Sequence, residues 1–366
     1  MNTIRKKNFS YAPARICLFG DHQDYLGLPV ITAAIDRNIE LVAEENQEAF
    51  FEIITPDIGE TRKIFLNEDY AKFDSNDHYK SSLFLLQKNG LVINKGFKIT
   101  VSGDIPINAG LSSSSAIVVA WVQFLLYAFG KEKYYPSDVI AQRAYQAEVE
   151  VHGAPGGKMD QYAIGVGNVL FIDTGQSFSI NRINCNLPCL IIGESGIPKN
   201  TIGLLKKTKE SALEAIQQVQ NQHPNFDIKK LKEEDIPQYT RFLQPQYKKY
   251  FEAAIINHNV TLSAYDELRK EKPDPETLGY LMNKHHNVLK DFLGITLPRI
   301  DAMIEAALSA GAYGAKIVGS GGGGCIVALA SEANKNDIIK ALLNAGAKDA
   351  YQVEVAPGAH VENIKS

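Results

Sequence analysis

Apolar positions in the first half of this chain fall into short runs cut by turns, whereas those beyond residue 199 repeat at helical spacing among charges. Arg15 to Phe19, after Ala12-Pro13-Ala14, is a compact apolar run, and Val30 to Ile35 repeats it beyond the turn-rich segment Gly20–Pro29; both read as strands. Ile39–Ala43, Ala49–Thr55 and Thr61–Leu66 are further strand-like segments, and Phe97–Val101 another. Helical signals cover Asp77–Lys88, the stretch from the serine tract to about Phe129, Ser137–His152 and Met159–Ile164; Asn168–Ile172 returns to strand. The character changes near residue 188. Strand Cys189–Gly193 leads into charged amphipathic helices over much of 199–310. Strand Ala315–Val318, a glycine run, strand Cys325–Ala330, helix Asn334–Leu343 and strand Tyr351–Val355 follow. Such mixing implies an α+β protein of two lobes, 1–187 and 188–366.

Composition narrows the function. At 366 residues, 45% hydrophobic and 22% charged, the chain suits one large or two ordinary domains. A net charge of −4 excludes a nucleic-acid partner held by bulk electrostatics, and the cluster Arg5-Lys6-Lys7 reads as solvated. No run approaches the roughly 20 apolar residues of a membrane span, and no apolar h-region follows the N-terminus. Cys17, Cys185, Cys189 and Cys325 make no disulfide framework, so the expectation is a cytoplasmic protein acting on small molecules, with neither membrane nor nucleic-acid partners. Oligomeric state is not legible.

Four segments carry chemistry. Pro106-Ile107-Asn108-Ala109-Gly110-Leu111-Ser112-Ser113-Ser114-Ser115-Ala116 runs from a glycine turn into a helix start, where unpaired N–H groups attract an anion, above all phosphate. A serine-rich helix cap is the plainer alternative. Gly319-Ser320-Gly321-Gly322-Gly323-Gly324-Cys325 contains G-x-G-x-x-G, but a strand follows where a dinucleotide fingerprint needs a helix, so it reads as a ligand-facing turn or a hairpin. Asp21, His22 and Asp24 crowd a turn after a strand, suiting a polyhydroxylated ligand, a metal or solvent. Glu148 sits late on a helix and Asp160 just past the glycine turn 153–157; two such acids can divide metal binding from substrate contact.

Taken in order, these segments resemble the GHMP kinase superfamily, and within it galactokinase and related sugar-1-kinases. The family's APGRxNxIGEHTDYxGGxVLPxAID is similar to APARICLFGDHQDYLGLPVITAAID here, and its AExxFxGxxCGIMDQ to AEVEVHGAPGGKMDQ. The resemblance implies a ribosomal-protein-S5-domain-2-like N-terminal lobe and a ferredoxin-like C-terminal lobe. It implies an ATP- and Mg²⁺-dependent kinase acting on the anomeric hydroxyl of a galactose-like sugar. By that carry-over Asn108, Ala109, Gly110, Leu111, Ser112, Ser113 and Ser114 cradle the ATP phosphates, and Ser114 with Glu148 holds Mg²⁺. Asp160 is the base and Arg15 its charge-compensating partner. Asp21, His22, Asp24 and Gly157 hold the sugar, and Gly319, Gly321, Gly322 and Gly323 close over the phosphate and substrate.

Several positions depart from the pattern. Ala14 and Cys17 replace a glycine and an asparagine, Asp21 stands for a longer glutamate, and Asn108 replaces a loop glycine. Ser195–Thr201 looks more like the mevalonate kinases, and the sugar-contacting tyrosine of galactokinases has no counterpart. A uronic acid, arabinose, heptose phosphate or mevalonate therefore stays open as substrate, as does a non-catalytic sugar-sensing relative.

Overall fold

The computed structural model describes residues 7–132, 134–199 and 201–364. Among these residues, twelve strands form two sheets. β1 (Lys7–Phe19), β2 (Val30–Glu45), β3 (Phe50–Thr55), β4 (Glu60–Phe65), β5 (Phe97–Gly103), β6 (Val169–Asp173), β7 (Ser179–Arg182) and the last strand, β12 (His360–Ile364), make the larger one. Its order is β12-β1-β2-β5-β3-β4, antiparallel except β3 against β5, with β6 and then β7 joined to the first part of β2. β8 (Cys189–Glu194), β9 (Gly314–Ile317), β10 (Cys325–Ala330) and β11 (Asp349–Val353) make an antiparallel sheet ordered β11-β8-β10-β9.

The apolar pattern explains the strands. Val30–Ile35 is buried at every position because both faces are covered, and Ile39, Leu41 and Ala43 then alternate with more exposed residues. β2 continues through Asp36-Arg37-Asn38, where the sequence suggested a break; Pro13 pairs Asn38 and Ala14 pairs Ile35, so Asp36 and Arg37 are the extra residues of a bulge on β2. β7 and β12 carry no clear strand signal. β12 returns beside β1 and forms that edge of the first sheet.

The helices are α1 (His78–Lys88), α2 (Ser113–Phe129), α3 (Ser137–Tyr145), α4 (Met159–Val166), α5 (Thr201–Gln222), α6 (Ile236–Thr240), α7 (Pro245–Leu268), α8 (Pro275–Asp291), α9 (Pro298–Ser309) and α10 (Lys335–Asn344). α2 is apolar on all sides and lies in the core, where Trp121 packs edge-on against Phe51 and Tyr79. That burial fixes the helix, and so fixes where its N-terminus points. No described helix is long and apolar enough to cross a membrane. All four cysteines are free thiols, and His258, His285 and His286 are core residues.

Candidate active site

Asp160 lies at the start of α4, just inside the cleft, and β1 delivers Arg15 to meet it. The guanidinium grips both carboxylate oxygens, Nε to Oδ1 at 2.8 Å and Nη2 to Oδ2 at 2.9 Å, and its Nη1 donates to Gly110 O at 2.6 Å. Ser112 Oγ donates to Asp160 Oδ2 at 2.5 Å. Burial pushes the Asp160 carboxyl up, but the charge and hydrogen bonds of Arg15, aided by Ser112, hold it below its ordinary value. The acid is fixed and ionised.

Ser112 precedes α2 in a left-handed conformation, φ 62°, and because its hydroxyl is turned onto Asp160 no side chain caps the helix. Asn108 (φ 57°) and Gly110 (φ 91°) share this positive-φ geometry, so the asparagine at a family glycine position sits in the left-handed region it tolerates. A Cβ on Gly110 would stand 2.8 Å from Val318 O, which excludes any larger residue. A strained loop thus opens an uncapped, buried helix towards the acid.

Glu148 stands on a single π-turn, Gln146–Glu150, where the sequence suggested unbroken α-helix; Val151 N–H closes it on Gln146 O at 2.9 Å. Its carboxylate accepts from Ser115 Oγ at 3.0 Å and Gln161 Nε2 at 2.6 Å, while burial lifts its affinity for a proton. Ser114, expected beside it, is exposed in the cavity wall, and its side chain hydrogen-bonds the same carboxylate. Ser113 is half-buried in the first turn of α2.

Across the cavity, Asp24 accepts from Tyr25 N–H at 2.9 Å and Met159 N–H at 3.4 Å. Burial, with repulsion from Asp160, raises its carboxyl to about 6. A Cβ on Gly157 would fall 2.0 Å from Asp24 Oδ2, so only glycine lets the carboxylate lie there. His22 donates from Nε2 to Ser320 O at 3.1 Å, which leaves Nδ1 to accept from Tyr25 (3.1 Å) or Thr208 (3.2 Å); burial keeps the ring neutral.

Two expected ligand contacts are also engaged by the protein. Asp21, expected against the sugar, lines the cavity while both its oxygens bond the protein, Oδ2 with Lys316 Nζ at 2.6 Å and Oδ1 with Gly319 N–H at 2.8 Å. The glycine run was expected to close over the phosphate and substrate, but only Gly319, with Ser320, lines the cavity. Gly321, Gly322 and Gly323 turn away, all at positive φ, because their backbone packs on Ile295, Ile197 and Pro198; Gly322 N–H donates to Ile295 O at 2.7 Å.

The cavity, about 240 Å³, gathers Arg15, Asp21, His22, Asp24, Ser114, Glu148, Gly157, Asp160 and Gly319. Lys199 also lines it and escaped the sequence reading. Burial and then repulsion from Arg15 lower its affinity for a proton, and among the described residues it forms no ion pair. A second cavity of about 260 Å³ adjoins through Asn76, His78 and Ser114, walled by Ile53, Ile58, Tyr79, Ile117, Val118 and Trp121.

Residues 77–168 match the profile of the GHMP kinases N terminal domain, 264–348 that of the GHMP kinases C terminal, and 4–44 the galactokinase galactose-binding signature. The mevalonate kinase of Pyrococcus furiosus is 30% identical over 333 residues, 88% of this chain and 89% of its own. The chain belongs to the GHMP kinases. A galactokinase of Haemophilus influenzae is 27% identical over 91% of this chain and 87% of its own. Among solved structures, Lactococcus lactis galactokinase complexed with galactose superposes with a TM-score of 0.85 at 23% identity, over 97% of this chain and 95% of that one. The two-lobed α+β fold is therefore that of the GHMP kinases, a family of phosphotransferases.

Proposed function

We propose that this GHMP kinase transfers the γ-phosphoryl group of ATP to the anomeric hydroxyl of a galactose-like sugar, giving the sugar 1-phosphate and ADP. One observation carries the reading. An ionised, clamped Asp160 shares a cavity with the uncapped start of α2 on one side and the buried carboxyl of Asp24 on the other. The galactose-binding signature over residues 4–44 supports the sugar assignment.

Phosphates of ATP fit the N–H groups of the Asn108–Ser114 loop, with the base in the adjoining cavity beside Tyr79, Ile117 and Trp121. Magnesium usually takes one or two carboxylates and completes its shell with phosphate and water; Glu148, with the Ser114 side chain beside it in the same cavity, meets that need. Bound there, Mg²⁺ would neutralise phosphate charge. Asp24 accepts ring hydroxyls, and Asp160 orients the anomeric hydroxyl. The sugar O–P bond forms as the γ-phosphate parts from its bridging oxygen, and the hydroxyl proton passes to Asp160 and on to water. Arg15 holds Asp160 ionised, and Lys199 offers its unpaired ammonium to the moving phosphoryl group.

The mevalonate kinase relatives favour a second reading, a branched hydroxy acid as substrate. The charge pattern opposes it. Arg15 is committed to Asp160 and Lys316 to Asp21, which leaves Lys199 as the lysine in the cavity without an ion pair among the described residues. A substrate carboxylate would compete for it with the phosphoryl group while facing Asp24 and Asp160. ATP consumption with galactose, arabinose, a uronic acid, a heptose phosphate and mevalonate separates the readings. Turnover confined to the acids would overturn the sugar assignment.

A further inference from the structure

Lys316 is the only charged residue in β9, between Ala315 and Ile317, and its side chain has no solvent exposure. It crosses from the second sheet to the first, donating to Cys17 O at 2.9 Å and Asp21 Oδ2 at 2.6 Å. A buried Lys–Asp pair stabilises a fold weakly, since desolvation opposes the attraction; where such pairs persist, fixing one register is their best-attested use. Here the register joins two ligand loops. Asp21 and His22 hold the glycine run through Gly319 N–H and Ser320 O. The run in turn presses on the phosphate loop, because a Cβ on Gly319 would lie 3.1 Å from Gly110 O and one on Gly324 2.8 Å from Ala109 O. The neighbouring His285 ring, pushed down to about 3 chiefly by burial, is neutral and leaves Lys316 as the cation on Asp21.

We propose that Asp21 and Lys316 are positioning residues. They form a buried pin that makes the Asp21–Asp24 turn, the glycine run and the Asn108–Ser114 loop one unit, so the sugar and ATP subsites are set together. Sugar recognition on this turn then falls to Asp24 rather than Asp21. The two ligands are those of the kinase reading, on which this inference rests.

Titration calorimetry of galactose and of a non-hydrolysable ATP analogue, each alone, tests the pin in wild type, Asp21→Asn, Lys316→Met and the double variant. Each single change should weaken both ligands by about tenfold or more, with the double variant no worse than the poorer single. Lys316→Arg should recover part of both losses. If Asp21→Asn weakens galactose and leaves the ATP analogue unchanged, Asp21 is a sugar contact and the pin is refuted. If melting temperatures fall while both affinities hold, the pair is only structural and the pin is again refuted. Should the variants fail to fold, hydrogen exchange on wild type decides: galactose should protect amides of 108–112, and absence of that protection overturns the inference. Wild type that binds neither ligand would overturn the kinase reading, and the pin's role with it.

Discussion

Asp24→Asn separates what the site needs from what the fold prefers. The Asp24 carboxyl is raised from 3.8 to about 6, first by burial and then by Asp160. At about 1.36 kcal/mol per unit, that shift corresponds to about 3 kcal/mol between the two protonation states. The folded carboxyl binds its proton more tightly than the unfolded one. Stability therefore falls as pH rises from about 4 to about 6, and the full cost of the buried charge persists above that window. An amide of the same shape removes the charge, though its NH₂ group must face one of the two backbone N–H donors, of Tyr25 or Met159. About 3 kcal/mol is thus an upper bound for the gain. Thermal melts should show the variant more stable than wild type above pH 7, with the advantage gone near pH 4. Coupled-assay kinetics on the same samples should show a raised sugar KM and an unchanged ATP KM. A stability difference independent of pH, or an unaltered sugar KM, would refute the reasoning.

Gly157→Ala places a methyl group where Asp24 Oδ2 lies, 2.0 Å away, so the carboxylate must move by an ångström or more. Displacement on that scale costs about 10²-fold in kcat/KM for the sugar, and unchanged sugar kinetics would exclude Asp24 from binding. Asp160→Asn should keep the melting temperature within a few degrees and lower kcat by roughly 10²–10⁴-fold; near-wild-type turnover would remove Asp160 from the mechanism. Lys199→Met should lower kcat by roughly 10²-fold, the scale for losing one group that stabilises developing charge, with sugar affinity by calorimetry unchanged. In wild type the sugar KM should climb as pH falls below about 6, as Asp24 takes up its proton.

Much of the fold was legible because its period was clean. β10 spans Cys325–Ala330 as read, and α2 follows from an apolar run behind four serines. β12 was not legible, since His360–Ile364 lacks alternation and is a strand only because β1 leaves an edge for it. The site divides in the same way. Arg15, Asp160 and Glu148 lie in motifs whose order the sequence displays, and the structure brings them into one cavity. The pairing of Asp21 with Lys316 was not legible, because the two lie 295 residues apart. A lone lysine inside the apolar stretch Gly314–Val318 was the available signal that some buried anion awaited it. Lys199 and the fourth serine, Ser115, carry no local pattern; only folding sets them against Asp160 and Glu148. The π-turn under Glu148 is likewise a tertiary outcome, written in no side-chain period.

In the proposed reaction the start of α2 delivers a phosphoryl group to a sugar hydroxyl held by Asp160. Phosphorus NMR of the product formed from galactose and ATP is the decisive measurement. A new phosphomonoester on the anomeric carbon should form in step with ADP, and at least about 10²-fold more slowly in Asp160→Asn. Phosphate on another carbon, or ATP turnover with mevalonate alone, would contradict it.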